Sequence, residues 1–127
     1  MLIGVDMVEI RRIEDLAKNP AFLKRIYTEE EISLVQDVSN GRRAEILAGR
    51  FAVKEAVAKA LGTGISGGLT FRDIQTLQGS MGEPVLSLQG KAKEMADCAG
   101  VSNLKVSLSH AAGLVIAFVL LETGQAE

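Results

Sequence analysis

A chain of 127 residues that is 47% apolar has the material for one hydrophobic core, which excludes intrinsic disorder, and residues 1–127 read as a single domain. A formal net charge of −2 excludes a broad electrostatic grip on nucleic acid, so any affinity for phosphates must come from local basic clusters. The lone cysteine, Cys98, excludes an internal disulfide and is expected as a small buried residue on an Ala-rich helix, in a reducing compartment.

Leu2 to Val8 alternate, with Ile3, Val5 and Met7 on one face and Gly4, Asp6 and Val8 on the other, which is the period of a strand. Asp6 interrupts the apolar run, and no basic segment or small-residue cleavage site accompanies it, so a secretory signal is not expected. From Glu9 the spacing becomes helical through Ile10, Ile13, Leu16 and Ala17, until Asn19-Pro20 stops it. Thr28 and Glu31 have the spacing of a capping box, with Ile32, Val35 and Val38 following as a short amphipathic helix. Ser39-Asn40-Gly41 marks a turn. The longest helix is expected over Arg42 to Leu61, with Gly62 as its C-terminal cap.

The stretch from Gly62 to Gly68 reads as a flexible polar loop, and its Ser66-Gly67-Gly68 matches no phosphate-loop pattern. Leu69 to Leu77 and Pro84 to Leu88 read as strands around a turn over Gln78 to Glu83. A short helix over Lys91 to Ala99 follows. Leu104, Val106 and Leu108 then alternate with polar residues in a strand that runs into His110. Ala111 to Leu121 is too short to span a bilayer and reads as a buried strand. Its unbroken apolar run implies cover on both faces, one by the long helix and one by neighbouring subunits around a closed axis. The fold class is α+β, a small antiparallel sheet packed by a long helix, with no nucleic acid or membrane partner and a cytoplasmic location.

Several residues could do chemistry. Asp6 reads either as a solvated or backbone-bonded carboxylate or as a metal ligand, because burying it uncompensated costs several kcal/mol. Glu55 shares a helix face with Phe51 and Lys59, with Arg50 and Lys54 beside it; it reads as an ordinary helix ion pair or as a second ligand. Small and apolar neighbours suggest that this face is partly covered. Asp6 and Glu55 together would suit a hard cation such as Mg²⁺, if the fold joins them. His110, the single histidine, is structural or an acid–base group. Arg42 and Arg43 sit awkwardly at a helix start, as a solvated pair or as anion ligands.

Three separated motifs, IGVDMVEIRRI (Ile3 to Ile13), AGRFAVKEAVAKALGTG (Ala48 to Gly64) and VSLSHAAGLVIAFV (Val106 to Val119), resemble the signatures of bacterial holo-acyl-carrier-protein synthases. These are single-domain phosphopantetheinyl transferases. FRDIQTL and GEPVLSL (Gly82 to Leu88) resemble that family's middle strands, so the likeness runs along nearly the whole chain. The resemblance implies transfer of 4′-phosphopantetheine from coenzyme A to a serine of apo acyl carrier protein, releasing adenosine 3′,5′-bisphosphate, in support of fatty acid biosynthesis. By motif position it implies Asp6 and Glu55 as Mg²⁺ ligands and Lys59 as a partner of the pyrophosphate. It further implies Arg50, His110 and Pro84 in the coenzyme pocket, Arg42 and Arg43 at the 3′-phosphate, and Arg12 against the acidic carrier protein. It also implies a homotrimer with active sites between subunits. Two departures stand out: Val8 occupies a position that is acidic in larger relatives, and Ala111 follows His110 where many members carry a hydroxyl or acidic residue. Glu9 would face away from Asp6 on a strand and is excluded as a ligand. A non-catalytic coenzyme-binding module would need Lys59 and the arginines but not both carboxylates. A two-metal phosphohydrolase would need more acidic or histidine ligands.

Overall fold

In the computed structural model, which describes residues 1–65 and 68–124, the first and last strands lie side by side. β1 (Leu2–Glu9) pairs antiparallel with β5 (Leu114–Thr123), from Leu2 opposite Leu121 to Glu9 opposite Leu114. β4 (Val101–Ala111) pairs with the other edge of β5, giving a sheet of order β1-β5-β4. Ala112 and Gly113 join β4 to β5 with φ of 54° and 78°, the left-handed pair that a tight hairpin requires and that glycine adopts freely.

A long helix, α4 (Asn40–Ala60), crosses the inner face of this sheet. It is closed in on nearly every side: Leu47, Ala48, Ala52, Val53, Ala56, Val57 and Ala58 are all fully buried. The short helices α1 (Ile10–Leu16), α2 (Pro20–Ile26) and α3 (Glu29–Ser33) precede it. After α4 comes a 3₁₀ turn, Phe71–Asp73, then a separate hairpin of β2 (Ile74–Gln78) and β3 (Pro84–Leu88), and α5 (Gly90–Cys98). Among the described residues no helix is long and apolar enough to cross a membrane.

The β1 alternation is as the sequence indicates. Val8 is buried toward α4, as are Val115, Ala117, Val119 and Leu121 of β5. The opposite sheet face carries Ile3, Val5, Met7, Ile116 and Phe118, which are 42–60% exposed in the single chain. Register aligns them, Val5 with Phe118 and Met7 with Ile116, so they form one continuous apolar surface.

Some expectations need correction. Asn19-Pro20 ends α1 but also starts α2: the Asn19 side chain accepts from the Ala21 N–H, and Pro20 fills the first helical position, where no N–H is needed. The capping box at Thr28 and Glu31 forms, yet α3 stops at Ser33. Leu69 to Asp73 is not strand, because β2 begins at Ile74. β2 and β3 form their own two-stranded sheet instead of joining the main one. Cys98 is exposed, not buried: Ala92 and Ala96 face inward, and a residue two positions past Ala96 points roughly 200° around the helix. Of the glycine run, Ser66 and Gly67 lie outside the described residues.

Candidate active site

β1 passes directly over α4, and this crossing brings Asp6 to Lys59. Lys59 Nζ donates to Asp6 Oδ1 at 2.9 Å and to the Val5 carbonyl at 3.1 Å. The Asp6 side chain is only 16% exposed, so this contact sits at the edge of the core. Glu55, one turn before Lys59 on α4, is half-buried. Its carboxyl is held above the usual carboxylate range, first by burial and then by the charge of Asp6; Lys59 and Arg12 pull the other way. Arg12 lies over the Phe51 ring with its guanidinium carbon 5.7 Å from the centroid.

The structure therefore gathers Asp6, Glu55, Lys59 and Arg12. Glu55, whose ionisation is made harder by burial and by the charge of Asp6, and Asp6 itself both offer hard oxygen donors, and together they fit a divalent cation such as Mg²⁺. Among the described residues no third His, Cys, Asp or Glu joins them, so the rest of a coordination shell falls to water and ligand oxygens.

A second set lines a cavity of about 230 Å³ on a different side of α4: Arg42, Glu45, Arg50, Pro84 and His110. Arg42 donates to Glu45 Oε1 at 3.1 Å, and His110 Nδ1 lies 4.0 Å from Glu45 Oε2. Arg50 is buried and donates through Nε to the Thr76 carbonyl at 3.2 Å; burial lowers its pKa below the ordinary value. Arg43 is not part of this set. It turns into another crevice, beside Glu14, Lys18 and Leu47. Arg50 and Glu55 are five positions apart, about 140° around a helix of 3.6 residues per turn, so the cavity and the carboxylate pair face different ways within one chain.

Two residues of consequence, Lys54 and Glu31, read in the sequence only as a neighbour of Glu55 and as half of a capping box, with no sign that they meet. Lys54 is completely buried and donates to Glu31 Oε1 at 2.8 Å, to the Phe71 carbonyl at 3.0 Å and to the Ile74 carbonyl. Glu31 in turn accepts from the Thr28 N–H at 3.0 Å and from the Thr76 N–H at 2.9 Å. Burial lowers the Lys54 pKa, and the Glu31 charge restores part of it. This network ties α4 to α3 and to the start of β2, next to Arg50. A signal existed: Leu47, Phe51, Val57 and Ala58 surround Lys54 at helical spacing and are all apolar.

Comparison with known proteins agrees with the resemblance seen in the motifs. A curated holo-[acyl-carrier-protein] synthase of Geobacillus sp. (strain WCH70) is 46% identical over 121 residues, covering 94% of each chain. The Helicobacter pylori holo-[acyl-carrier-protein] synthase, solved in complex with coenzyme A, is 37% identical with a TM-score of 0.82, over 95% of this chain and 100% of that one. The Bacillus anthracis holo-(acyl-carrier-protein) synthase, solved in complex with CoA (3′,5′-ADP), is 34% identical with a TM-score of 0.81, over 97% of this chain and 96% of that one. The family model described as the 4′-phosphopantetheinyl transferase superfamily matches residues 2–119, and the chain belongs to that superfamily.

Proposed function

We propose that this protein transfers 4′-phosphopantetheine from coenzyme A to a serine of apo acyl carrier protein, as a cytoplasmic Mg²⁺-dependent enzyme supporting fatty acid biosynthesis. The observation that carries this reading is the convergence of Asp6, Glu55 and Lys59 where β1 crosses α4. Mg²⁺ would be held by Asp6 and Glu55, and when bound it would neutralise charge on the pyrophosphate.

Lys59, more than half exposed at the end of a flexible side chain, can turn from Asp6 toward a pyrophosphate oxygen and stabilise the departing charge. Arg42, Arg50, Pro84 and His110 supply a cavity for the adenosine 3′-phosphate end of the coenzyme, with Arg43 a candidate for the same phosphate from a different crevice. The serine Oγ attacks the β-phosphorus, forming one P–O bond as the bond from that phosphorus to the bridging oxygen breaks. Adenosine 3′,5′-bisphosphate leaves with the bridging oxygen. The serine proton passes to water or to one carboxylate of the pair. Incubation with apo acyl carrier protein, coenzyme A and Mg²⁺ should add the mass of phosphopantetheine to the carrier; an unchanged carrier mass would overturn the reading.

The assembly in this proposal is a homotrimer with shared sites. Support comes from the apolar sheet face of Ile3, Val5, Met7, Ile116 and Phe118, and from the separation of the two residue sets around α4. The number three comes from the family resemblance. Two inactive variants, Glu55→Gln and His110→Ala, should restore partial turnover when mixed and allowed to exchange subunits, because some interfaces then pair an intact cavity with intact carboxylates. A monomeric mass in solution, or no recovery after proven exchange, counts against sharing.

Arg12 belongs to an exposed basic run with Arg11 on α1, Lys18 between the helices, and Lys24 and Arg25 on α2, suited to an acidic carrier protein. Arg12→Glu is expected to raise KM for the carrier protein at least tenfold at low salt, with a much smaller effect on KM for coenzyme A. Equal losses on both substrates would instead assign Arg12 to the coenzyme, through its position over Phe51.

A further inference from the structure

We infer that Gly4 is a positioning residue that sets the distance between the two carboxylates of the site. The inference rests on the proposed metal pair. Gly4 lies two positions before Asp6, on the same inward face of β1. A Cβ at this position would stand 1.9 Å from the Ala56 carbonyl oxygen, 2.8 Å from its carbon and 3.1 Å from the Ala60 nitrogen. These are backbone atoms of the last turns of α4, and they cannot rotate aside as a side chain could.

The contact lies at the heart of the site in sequence as well as in space. Ala56 adjoins Glu55 and Ala60 adjoins Lys59, while Val5 and Asp6, the two acceptors for Lys59, directly follow Gly4. β1 is also fixed along its length by its register with β5. The absence of a side chain at this one position lets the strand rest on the helix backbone, and that closeness places Asp6 beside Glu55. Any side chain there would have to lift the strand by more than an ångström to reach even 3.0 Å from the Ala56 oxygen. Asp6 would move with it.

The cation chemistry makes this distance matter. Mg²⁺ needs near-ideal octahedral geometry at about 2.0–2.1 Å, whereas Ca²⁺ accepts looser shells at about 2.3–2.6 Å. A widened pair should therefore lose Mg²⁺ more than Ca²⁺. A longer carboxylate should bridge part of the gap.

The test uses full-length protein saturated with coenzyme A in the absence of carrier protein, titrated separately with Mg²⁺ and Ca²⁺ by calorimetry. Gly4→Ala is expected to weaken Mg²⁺ binding by on the order of 100-fold, with a clearly smaller loss for Ca²⁺. Asp6→Glu added to Gly4→Ala should recover much of the Mg²⁺ affinity, although Asp6→Glu alone weakens it. Asp6→Asn is the control for the metal pair itself. If Asp6→Asn loses Mg²⁺ but Gly4→Ala binds within twofold of the parent, the positioning role is overturned while the metal pair stands. If Asp6→Asn binds Mg²⁺ normally, the metal pair fails and the positioning role falls with it. Equal loss of both cations without rescue by Asp6→Glu also overturns the inference, since a general loss of structure would do the same. Should circular dichroism show Gly4→Ala unfolded, Val8→Ile wedges the same interface from the buried position beyond Asp6. Preferential loss of Mg²⁺ in that variant supports the inference, and unchanged binding overturns it.

Discussion

Glu55→Gln is expected to lower transfer roughly a thousandfold or more while raising the melting temperature of the metal-free protein. The loss of activity follows from removing one of two charges offered to a hard cation, an effect of several kcal/mol on the transition state. The gain in stability follows from the sign of the carboxyl's shift. Burial, and then Asp6, raise the pKa of Glu55 above its usual 4.5 in the folded state. A raised pKa in the fold stabilises below the unfolded value and is lost as pH rises through the folded one. At neutral pH the ionised group therefore opposes folding, and glutamine removes that opposition. The difference in melting temperature should narrow as the pH falls through the folded-state value and close below 4.5, where the parent carboxyl is protonated in both states. Added Mg²⁺ should stabilise the parent more than the variant. Near-normal turnover of both Asp6→Asn and Glu55→Gln at limiting Mg²⁺ would sink the assignment, and a lower melting temperature for metal-free Glu55→Gln would sink the electrostatic argument.

Lys54→Met should be the most damaging single change to stability. It removes the cation from a fully buried pair and leaves Glu31 charged in the core, where among the described residues the Thr28 and Thr76 N–H groups still donate to it. The buried Arg50, a remaining cation whose charge acts on Glu31, is committed to the Thr76 carbonyl. Breaking such a pair costs about 3–5 kcal/mol, a large part of the roughly 5–15 kcal/mol that a domain has in total. Thermal melting should fall by about 10–20 °C. Adding Glu31→Gln should return part of the loss, since an amide oxygen can still accept hydrogen bonds and no net charge remains buried. A cycle of the two single variants and the double would give their coupling directly. A Lys54→Met protein within about 1 kcal/mol of the parent would show that the pair contributes little net stability.

These two predictions also mark where the sequence was readable. β1 and β4 alternate cleanly, α4 is long and rich in helix formers, and β5 is an unbroken apolar run, so each lies close to its expected limits. Asp6 and Glu55 stood out because a carboxylate amid apolar neighbours contradicts its surroundings, and the structure placed them together. Lys54 has the same kind of surroundings, yet a lysine on a helix reads as solvated unless its buried partner is known. That partner, Glu31, is 23 positions away and looked fully explained as half of a capping box. Asn19-Pro20 was ambiguous for a different reason: proline closes one helix and opens the next with the same fixed φ. The course of β2 and β3 into their own sheet depends on tertiary packing that no local pattern expresses.

The pairing of β1 with β5 has a consequence for how the molecule is made. Met1 and Thr123, hydrogen-bonded to each other, are 122 positions apart in the chain. During synthesis the strand that carries Asp6 emerges long before the strand it must zip onto. Until then α4 lacks the central strand of the sheet it lies across, and its apolar sides need shelter. Closure of so long a loop is slow compared with helix formation, so the catalytic crossing should be a late event in folding. The same geometry sets β5 beside β1 although they are remote in sequence, an arrangement that suits circular permutation. A permutant that joins β5 to β1 and opens at the exposed β2–β3 turn would synthesise the two strands in succession, turning a remote contact of the fold into a local one.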